Sequence, residues 1–160
     1  MSTSRAIIAG AVGALAITLV TALLRAMGMP VNFEMVLGSM LTATIGMSTW
    51  LLGFLIHVST GAIFGVIYAA VFQRWTRRAD ATTGVGVGAV HALFSGLALG
   101  TLPAVHPLVP EHMTAPGIFL SHLGSGGVIV YIGLHLLFGA VVGAMYAAED
   151  RAREPARAYP

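Results

Sequence analysis

Hydrophobic residues fall into four long stretches, and the charged residues are confined to the segments between and around them. The stretches are residues 6–24, 51–72, 84–105 and 127–148. A transmembrane helix needs about 20 consecutive, predominantly apolar residues, and each stretch meets this length. The pattern therefore predicts an all-α membrane protein, a bundle of four transmembrane helices. The predicted spans are about residues 6–26, 50–72, 84–105 and 127–148.

These spans form a single transmembrane domain, residues 1–148, followed by a short tail. The first span has 19 apolar or small residues after Arg5, which is longer than the roughly 7 to 15 apolar residues of a signal peptide. We therefore expect it to be retained as a helix. The tail, residues 149–160, is polar and contains two prolines, so we expect it to be disordered.

One motif occurs twice, in the second and in the fourth span. Residues 57–70 read HVSTGAIFGVIYAA and residues 135–148 read HLLFGAVVGAMYAA, so both follow H-x3-G-A-x2-G-x2-Y-A-A at an offset of 78 residues. The same offset places the first span on the third. We therefore predict two parallel repeats of helix, outer loop and helix, related by a pseudo-twofold axis along the membrane normal.

Small residues recur at helical spacing within the spans. In the second span His57, Gly61, Gly65 and Tyr68 lie three or four residues apart, so they share one helix face, and the fourth span repeats this pattern. In a membrane, small residues mark helix contacts because they let two backbones approach closely. The glycines predicted to pack helices are Gly61, Gly65, Gly88, Gly96, Gly139 and Gly143.

The two outer loops are too apolar for solvated loops, and each is predicted to contain a short helix. Residues 28–49 carry a single charge, Glu34, and Asn32 is placed to cap a helix there. In residues 104–126, Thr114 is placed to cap the second short helix.

Composition and charge agree with a membrane location. The chain is 57% hydrophobic and 9% charged, whereas a soluble domain has about 25% charged residues. Seven of its eight arginines lie before the first span, between the second and third, or after the fourth. Because positive residues favour the cytoplasmic side, we predict a multi-pass protein of the bacterial cytoplasmic (inner) membrane with both termini in the cytoplasm. The arginines serve this topology, so nucleic acid is not expected as a partner.

Two residue types are missing, and their absence excludes several chemistries. The chain has no cysteine and no lysine, which excludes disulfides, thiolate metal sites, thiol catalysis and Schiff-base catalysis. No nucleophile and base stand out as a pair, so we do not expect an enzyme.

The strongest candidates for chemistry are the histidines inside the spans. His57 and His135 occupy matched positions of the two repeats, so we expect them to face each other at one depth. An ionisable residue inside a membrane is a functional candidate, and two facing imidazoles suit haem or a transition metal. Further candidate ligands lie in the outer loops: Glu34, Glu111, His112 and His122.

A structural role is the alternative for each of these histidines. A neutral imidazole can hydrogen-bond a hydroxyl of a neighbouring helix, for an average gain of about 0.6 kcal/mol. The available hydroxyls are those of Ser59, Thr60 and Ser95. A third intramembrane histidine, His91, corresponds to a glycine in the other repeat, so it breaks the predicted symmetry.

The order of these features resembles small bacterial four-helix membrane protein families catalogued as domains of unknown function. The resemblance is carried by a glycine-rich first span, the loop segment MVLGSML, the motif H-x3-G-x3-G-x2-Y and the segment GLHLLFGAVVGAMY. It covers most of residues 6–148. The third span, HALFSGLALGTLPAVHP, departs from the tryptophan- and methionine-rich third span of those families. The resemblance implies the fold and the membrane location, and it implies no activity.

Three classes of function are compatible with the sequence. The first is an accessory or scaffold subunit that packs with other membrane proteins, in a complex or as a homo-oligomer within the lipid bilayer. The second is a redox bundle that binds haem or a metal ion through His57 and His135. The third is a small transporter that works as an oligomer, which parallel repeats and buried histidines favour.

Overall fold

The computed structural model of the protein describes the backbone of residues 2–153 and the side chains of residues 2–147. Within residues 2–153 the chain is all-helical and has no β-strand. The α-helices are α1 (Thr3–Ala26), α2 (Phe33–Thr42), α3 (Met47–Val71), α4 (Ala81–Leu99), α5 (Leu102–Val105) and α6 (Gly124–Arg153). A π-helical turn, Phe72–Thr76, extends α3, and a 3-10 helix, Ile118–Leu123, precedes α6.

Four segments are long and apolar enough to cross a membrane: α1, α3 with its π-helical turn, α4, and α6 with the preceding 3-10 helix. The prediction of an all-helical chain with four long apolar helices is therefore confirmed. Each of the four helices begins three residues before its predicted span, and the main difference is that α4 ends at Leu99, whereas the predicted third span continued to residue 105. Gly100 and Pro103 explain the break, because glycine weakens a helix and proline lacks a backbone donor.

The long helices form two pairs that pack through small residues. α1 lies against α3, where Gly10 meets the backbone of Gly61 and Gly65. α4 lies against α6, where Gly84 meets the backbone of Gly139. A Cβ atom on Gly10 would lie 2.8 Å from the Gly65 Cα, so a larger residue there would push α1 and α3 apart.

A third contact, between α1 and α6, joins the two pairs. Large side chains fill the space where they meet: Ile17, Tyr68, Phe72, Phe138, Val142 and Tyr146. In contrast, α3 and α4 touch each other little. One side of the four-helix arrangement is therefore only partly closed.

The short helix α2 covers one end of the bundle by packing on α3. The Asn32 side chain accepts a hydrogen bond of 3.1 Å from a backbone N–H of the first turn, so the predicted cap is confirmed. From there α2 runs back along α3, where Gly38 meets the Thr49 carbonyl and Gly53 meets the Glu34 carbonyl. These contacts bring the first turn of α2 towards the middle of α3.

The second loop segment does not form the predicted helix at Thr114, and that prediction is wrong. Thr114 lies in a non-helical stretch. Gly117, with a φ of +69°, turns the chain before the 3-10 helix begins. At the far end, α6 continues through residues 149–153, the first part of the predicted tail. Residues 154–160 lie outside the described residues.

Candidate functional site

A cleft of about 280 Å³ lies among the four long helices, beneath α2. Packing between α1 and α3, between α4 and α6, and between α1 and α6 closes three sides. The least closed side is that between α3 and α4, where Phe64 and Tyr68 of α3 contact His91 of α4. Four apolar side chains of α2 form its roof: Phe33, Val36, Leu37 and Met40. The polar side chains in its lining are His57, Thr60, His91, Ser95, Tyr131 and His135. It is therefore a mostly apolar cleft that contains a few polar groups, as is typical of small-molecule sites.

His91 of α4 forms the floor of the cleft together with aromatic residues of α3 and α6. Its ring stacks on Phe64, with the ring centroids 4.0 Å apart, and contacts the edge of Phe138 at 6.0 Å. Its Nδ1 lies 3.3 Å from the Tyr68 hydroxyl. These contacts connect α3 to α4, and they fix the His91 ring against the bundle.

His135 of α6 is engaged at both ring nitrogens. Nδ1 lies 2.9 Å from the Tyr131 carbonyl, which can only accept a hydrogen bond, so Nδ1 carries the proton. Nε2 lies 3.0 Å from the Ser95 hydroxyl, whose single proton can go either to this nitrogen or to the His91 carbonyl at 2.7 Å. The ring also contacts the edge of His91, with centroids 4.9 Å apart. His135 is thus held by neighbours on its own helix and on α4.

His57 of α3 has a different set of partners. Its Nδ1 lies 3.1 Å from the Thr18 hydroxyl and 3.6 Å from Oε1 of Glu34. The other carboxylate oxygen, Oε2, lies 3.4 Å from an Arg25 guanidinium nitrogen, which also donates to the Val31 carbonyl at 2.8 Å. A small charged cluster of Arg25, Glu34 and His57 therefore lies where α1, α2 and α3 meet.

The Glu34 side chain is completely buried. Burial by itself would raise the pKa of this carboxyl group, but the His57 imidazole, the backbone N–H of Glu34 and the Thr18 hydroxyl outweigh it, and the pKa lies below its ordinary value. Its place in the first turn of α2 also favours a negative charge. Oε1 lies 3.6 Å from Nδ1 of His57, which is too long for a hydrogen bond, and it has no hydrogen-bond partner among the described residues.

Three polar atoms of the cleft lining make no hydrogen bond with the described residues. They are Nε2 of His57, Nε2 of His91 and the hydroxyl of Thr60. None of the three is a fully buried atom, since among the described residues Oε1 of Glu34 is the only buried side-chain oxygen or nitrogen without a partner, so all three are accessible from the cleft. They are therefore the atoms through which this cleft can bind something else.

The remaining candidate ligands lie elsewhere. Glu111 and His112 are exposed in the second loop segment. His122 is also exposed and borders a second cavity, of about 350 Å³, between α2 and the 3-10 helix. Among the described side chains, no group of three or more histidines and acidic residues is placed to hold a metal ion.

The predicted packing glycines lie at helix contacts. Gly61 and Gly65 face α1, and Gly88, Gly139 and Gly143 lie between α4 and α6. Gly96 instead faces the Phe119 ring of the 3-10 helix.

Sequence analysis missed three residues that build the site: Thr18, Arg25 and Tyr131. Arg25 gave a signal, because it is the one arginine on the wrong side for the predicted topology. Tyr131 also gave one, because it lies four residues before His135 and so shares its helix face. Thr18 gave none, since a threonine in an apolar span is ordinary.

Over residues 2–153 the fold is thus all-helical, with four helices of membrane-spanning length around a mostly apolar cleft that contains a few polar side chains. No protein-family model, no curated protein and no solved structure matches this chain. Its function is therefore inferred from the cleft itself.

Proposed function

We propose that this protein is a small integral protein of the bacterial cytoplasmic membrane that binds a small, largely apolar molecule in the cleft between α3 and α4. One observation carries this proposal: the apolar cleft contains Nε2 of His57 and of His91 and the Thr60 hydroxyl, all without partners among the described residues. A ligand can hydrogen-bond these accessible atoms while its apolar part contacts the apolar lining of the cleft.

The membrane topology is part of this proposal. The distribution of arginines supports cytoplasmic termini. Packing within the pairs supports two parallel repeats, because the contact of Gly10 with Gly61 has a counterpart, 78 residues later, in the contact of Gly88 with Gly139. Packing between the pairs does not follow this symmetry, because α1 packs on α6 whereas α3 and α4 touch little. With an even number of spans in each repeat, the pseudo-twofold axis runs along the membrane normal.

The geometry favours ligand binding over a haem or metal site held by His57 and His135. The two histidines have different partners, since His57 contacts Thr18 and Glu34, whereas His135 contacts Tyr131 and Ser95. Both ring nitrogens of His135 are engaged, so it would have to give up a hydrogen bond in order to ligate iron.

A role as an accessory subunit is compatible with ligand binding. A four-helix protein that holds a ligand can supply it to a larger membrane partner. The large apolar side chains of α1 and α4 that face outwards can contact lipid or such a partner equally well.

The transporter alternative is less well supported. A transporter would need a continuous path through the bundle, and the stack of Phe64 on His91 closes the floor of the cleft.

The cleft can be tested by thiol labelling because the chain has no cysteine. Thr60→Cys places a thiol in the cleft lining, and Val142→Cys places one in the packed core, where the side chain is 0% exposed. We expect the small neutral reagent methyl methanethiosulfonate to modify Thr60→Cys at least tenfold faster than Val142→Cys in detergent-purified protein. Equal, slow rates at the two positions would show that the cleft is closed, and would exclude the proposal.

A further inference from the structure

We infer that the ligand of this cleft is the head group of a lipid-soluble quinone or of its quinol. This inference rests on the proposed function, because it names the chemical class of molecule that the same cleft takes. It draws on three properties of the cleft: the spacing of its free polar atoms, the hydrogen-bonding capacity of its two histidines, and the position of its opening.

His57 and His91 line the cleft at levels about two helical turns apart. His57 lies two turns from Phe64 on α3, a rise of about 10 Å, and Phe64 stacks directly on His91. A six-membered ring with oxygens at opposite positions, with a hydrogen bond of about 3 Å at each oxygen, spans about 11 Å. One such ring can therefore reach His57 with one oxygen and His91 with the other.

The chemistry of His57 suits both redox forms of this ligand. Nδ1 lies 3.1 Å from the Thr18 hydroxyl, which can accept or donate. When Nδ1 carries the proton and donates to Thr18, Nε2 is an acceptor and matches a quinol hydroxyl. In the other neutral tautomer Thr18 donates to Nδ1, and Nε2 is a donor that matches a quinone carbonyl.

His91 offers the matching group at the other end. If the buried Tyr68 hydroxyl donates to Nδ1 over 3.3 Å, Nε2 of the neutral ring is a donor. The surroundings of this ring are aromatic, since Phe64 stacks on it and Phe138 meets it in an edge-on contact. Aromatic rings favour stacked and edge-on contact with another ring, which an acyl chain cannot make.

The cleft also has the right size and the right opening. Its volume of about 280 Å³ is at the lower limit for small-molecule sites, so it suits a single substituted ring. The opening lies between α3 and α4, where the outward-facing side chains are apolar, among them Ile63 and Phe94. A hydrophobic tail attached to the ring can leave through this gap into the lipid.

Photolabelling tests this inference directly. The purified full chain in phospholipid nanodiscs would be irradiated with an azido-substituted, short-chain benzoquinone, and the labelled peptides would be identified by mass spectrometry. We expect labels on α3 and α4, suppressed by an excess of unlabelled quinone. Quinone affinity, measured by the same competition, should fall about tenfold in His57→Leu, the loss of one hydrogen bond.

Two further variants keep the result interpretable. Thr60→Phe fills the cleft from α3 without touching the charged cluster, and it should abolish the labelling even if His57→Leu folds poorly. His112→Leu changes an exposed histidine outside both cavities and should leave the affinity unchanged.

The outcomes separate this inference from the function on which it rests. If Thr60→Cys reacts with the thiol reagent but the quinone label is absent or does not saturate, the cleft exists and the quinone assignment is wrong. If an azido-phospholipid labels the cleft and quinone does not displace it, or if the protein is purified with a haem absorption band, the assignment is also wrong. If Thr60→Cys is unreactive, the proposed function itself fails.

Discussion

Glu34 shows how a single charged residue is accommodated within the apolar surroundings of this bundle. Its carboxylate is completely buried, 3.4 Å from Arg25 and 3.6 Å from His57. A buried charge is tolerable only when it is paired, and removing one partner costs more than removing both because the other charge is left uncompensated. The cluster therefore ties α2 to α1 and α3 through charge rather than through packing alone.

This arrangement predicts non-additive effects of substitutions at Arg25 and Glu34. Arg25→Leu should lower the free energy of unfolding by about 3 kcal/mol, because it leaves the Glu34 carboxylate without its permanent cation. The double variant Arg25→Leu with Glu34→Leu should be less destabilised than Arg25→Leu alone. Unfolding of the detergent-purified protein, followed by circular dichroism, measures both. If the two substitutions simply add, Arg25 does not stabilise Glu34.

Only part of the site was predictable at the level of residues. The spacing of His57 and His135 predicted matched positions, but their partners differ because α2 folds back onto α3 and places Glu34 beside His57. At the 78-residue offset Glu34 corresponds to His112, which is exposed. A repeat in sequence therefore did not produce a repeat in the loops, where contacts depend on long-range packing.

At the scale of elements, the apolar stretches and the small residues determine most of the architecture. The four long helices were predictable because their runs of apolar residues are long and free of charge. The end of α4 at Leu99 was not, since residues 100–105 remain apolar and only backbone chemistry breaks the helix. The cap at Asn32 could be predicted from the local sequence. The cap predicted at Thr114 is wrong because residues 114–117 are non-helical and Gly117 turns the chain before the 3-10 helix begins.

The glycine contacts predict which helix faces tolerate larger side chains. Gly139→Leu should lower the free energy of unfolding by at least about 1–3 kcal/mol, because its Cβ would lie against the backbone of Gly84. Gly61→Leu should do the same between α1 and α3, where its Cβ would lie 2.6 Å from that of Ala14. Thermal unfolding in detergent measures both effects.

The matched control is Gly133→Leu on the same helix as Gly139. A Cβ atom there meets nothing within 4 Å, so this variant should unfold within about 0.5 kcal/mol of the wild type. Equal stabilities for Gly133→Leu and Gly139→Leu would mean that α4 and α6 are not packed through their glycines.

For the whole molecule, the open side between α3 and α4 depends on how the two helix pairs associate. Each pair is tightly packed through its glycines, whereas the pairs meet mainly through α1 and α6. A separation of the pairs at α3 and α4 would widen the cleft without breaking either pair. The α2 roof is held from two sides. The charged cluster ties it to α1 and α3, and Nε2 of His106 in the second loop segment lies 3.0 Å from the Val36 carbonyl and 3.3 Å from the Ser39 hydroxyl, so a separation would have to break one of these connections.

The orientation of the whole molecule in the membrane gives the last prediction. Seven of eight arginines lie at one end of the proposed spans, and the positive-inside rule places that end in the cytoplasm. Thr44→Cys introduces a single thiol just before α3, and Ala81→Cys introduces one at the start of α4. Both positions are exposed, and they lie at opposite ends of the bundle. A membrane-impermeant maleimide should label Thr44→Cys in intact spheroplasts, and it should label Ala81→Cys only after the membrane is permeabilised. Labelling of Ala81→Cys from outside would reverse the topology, and labelling of both positions from outside would mean that α3 does not span the membrane.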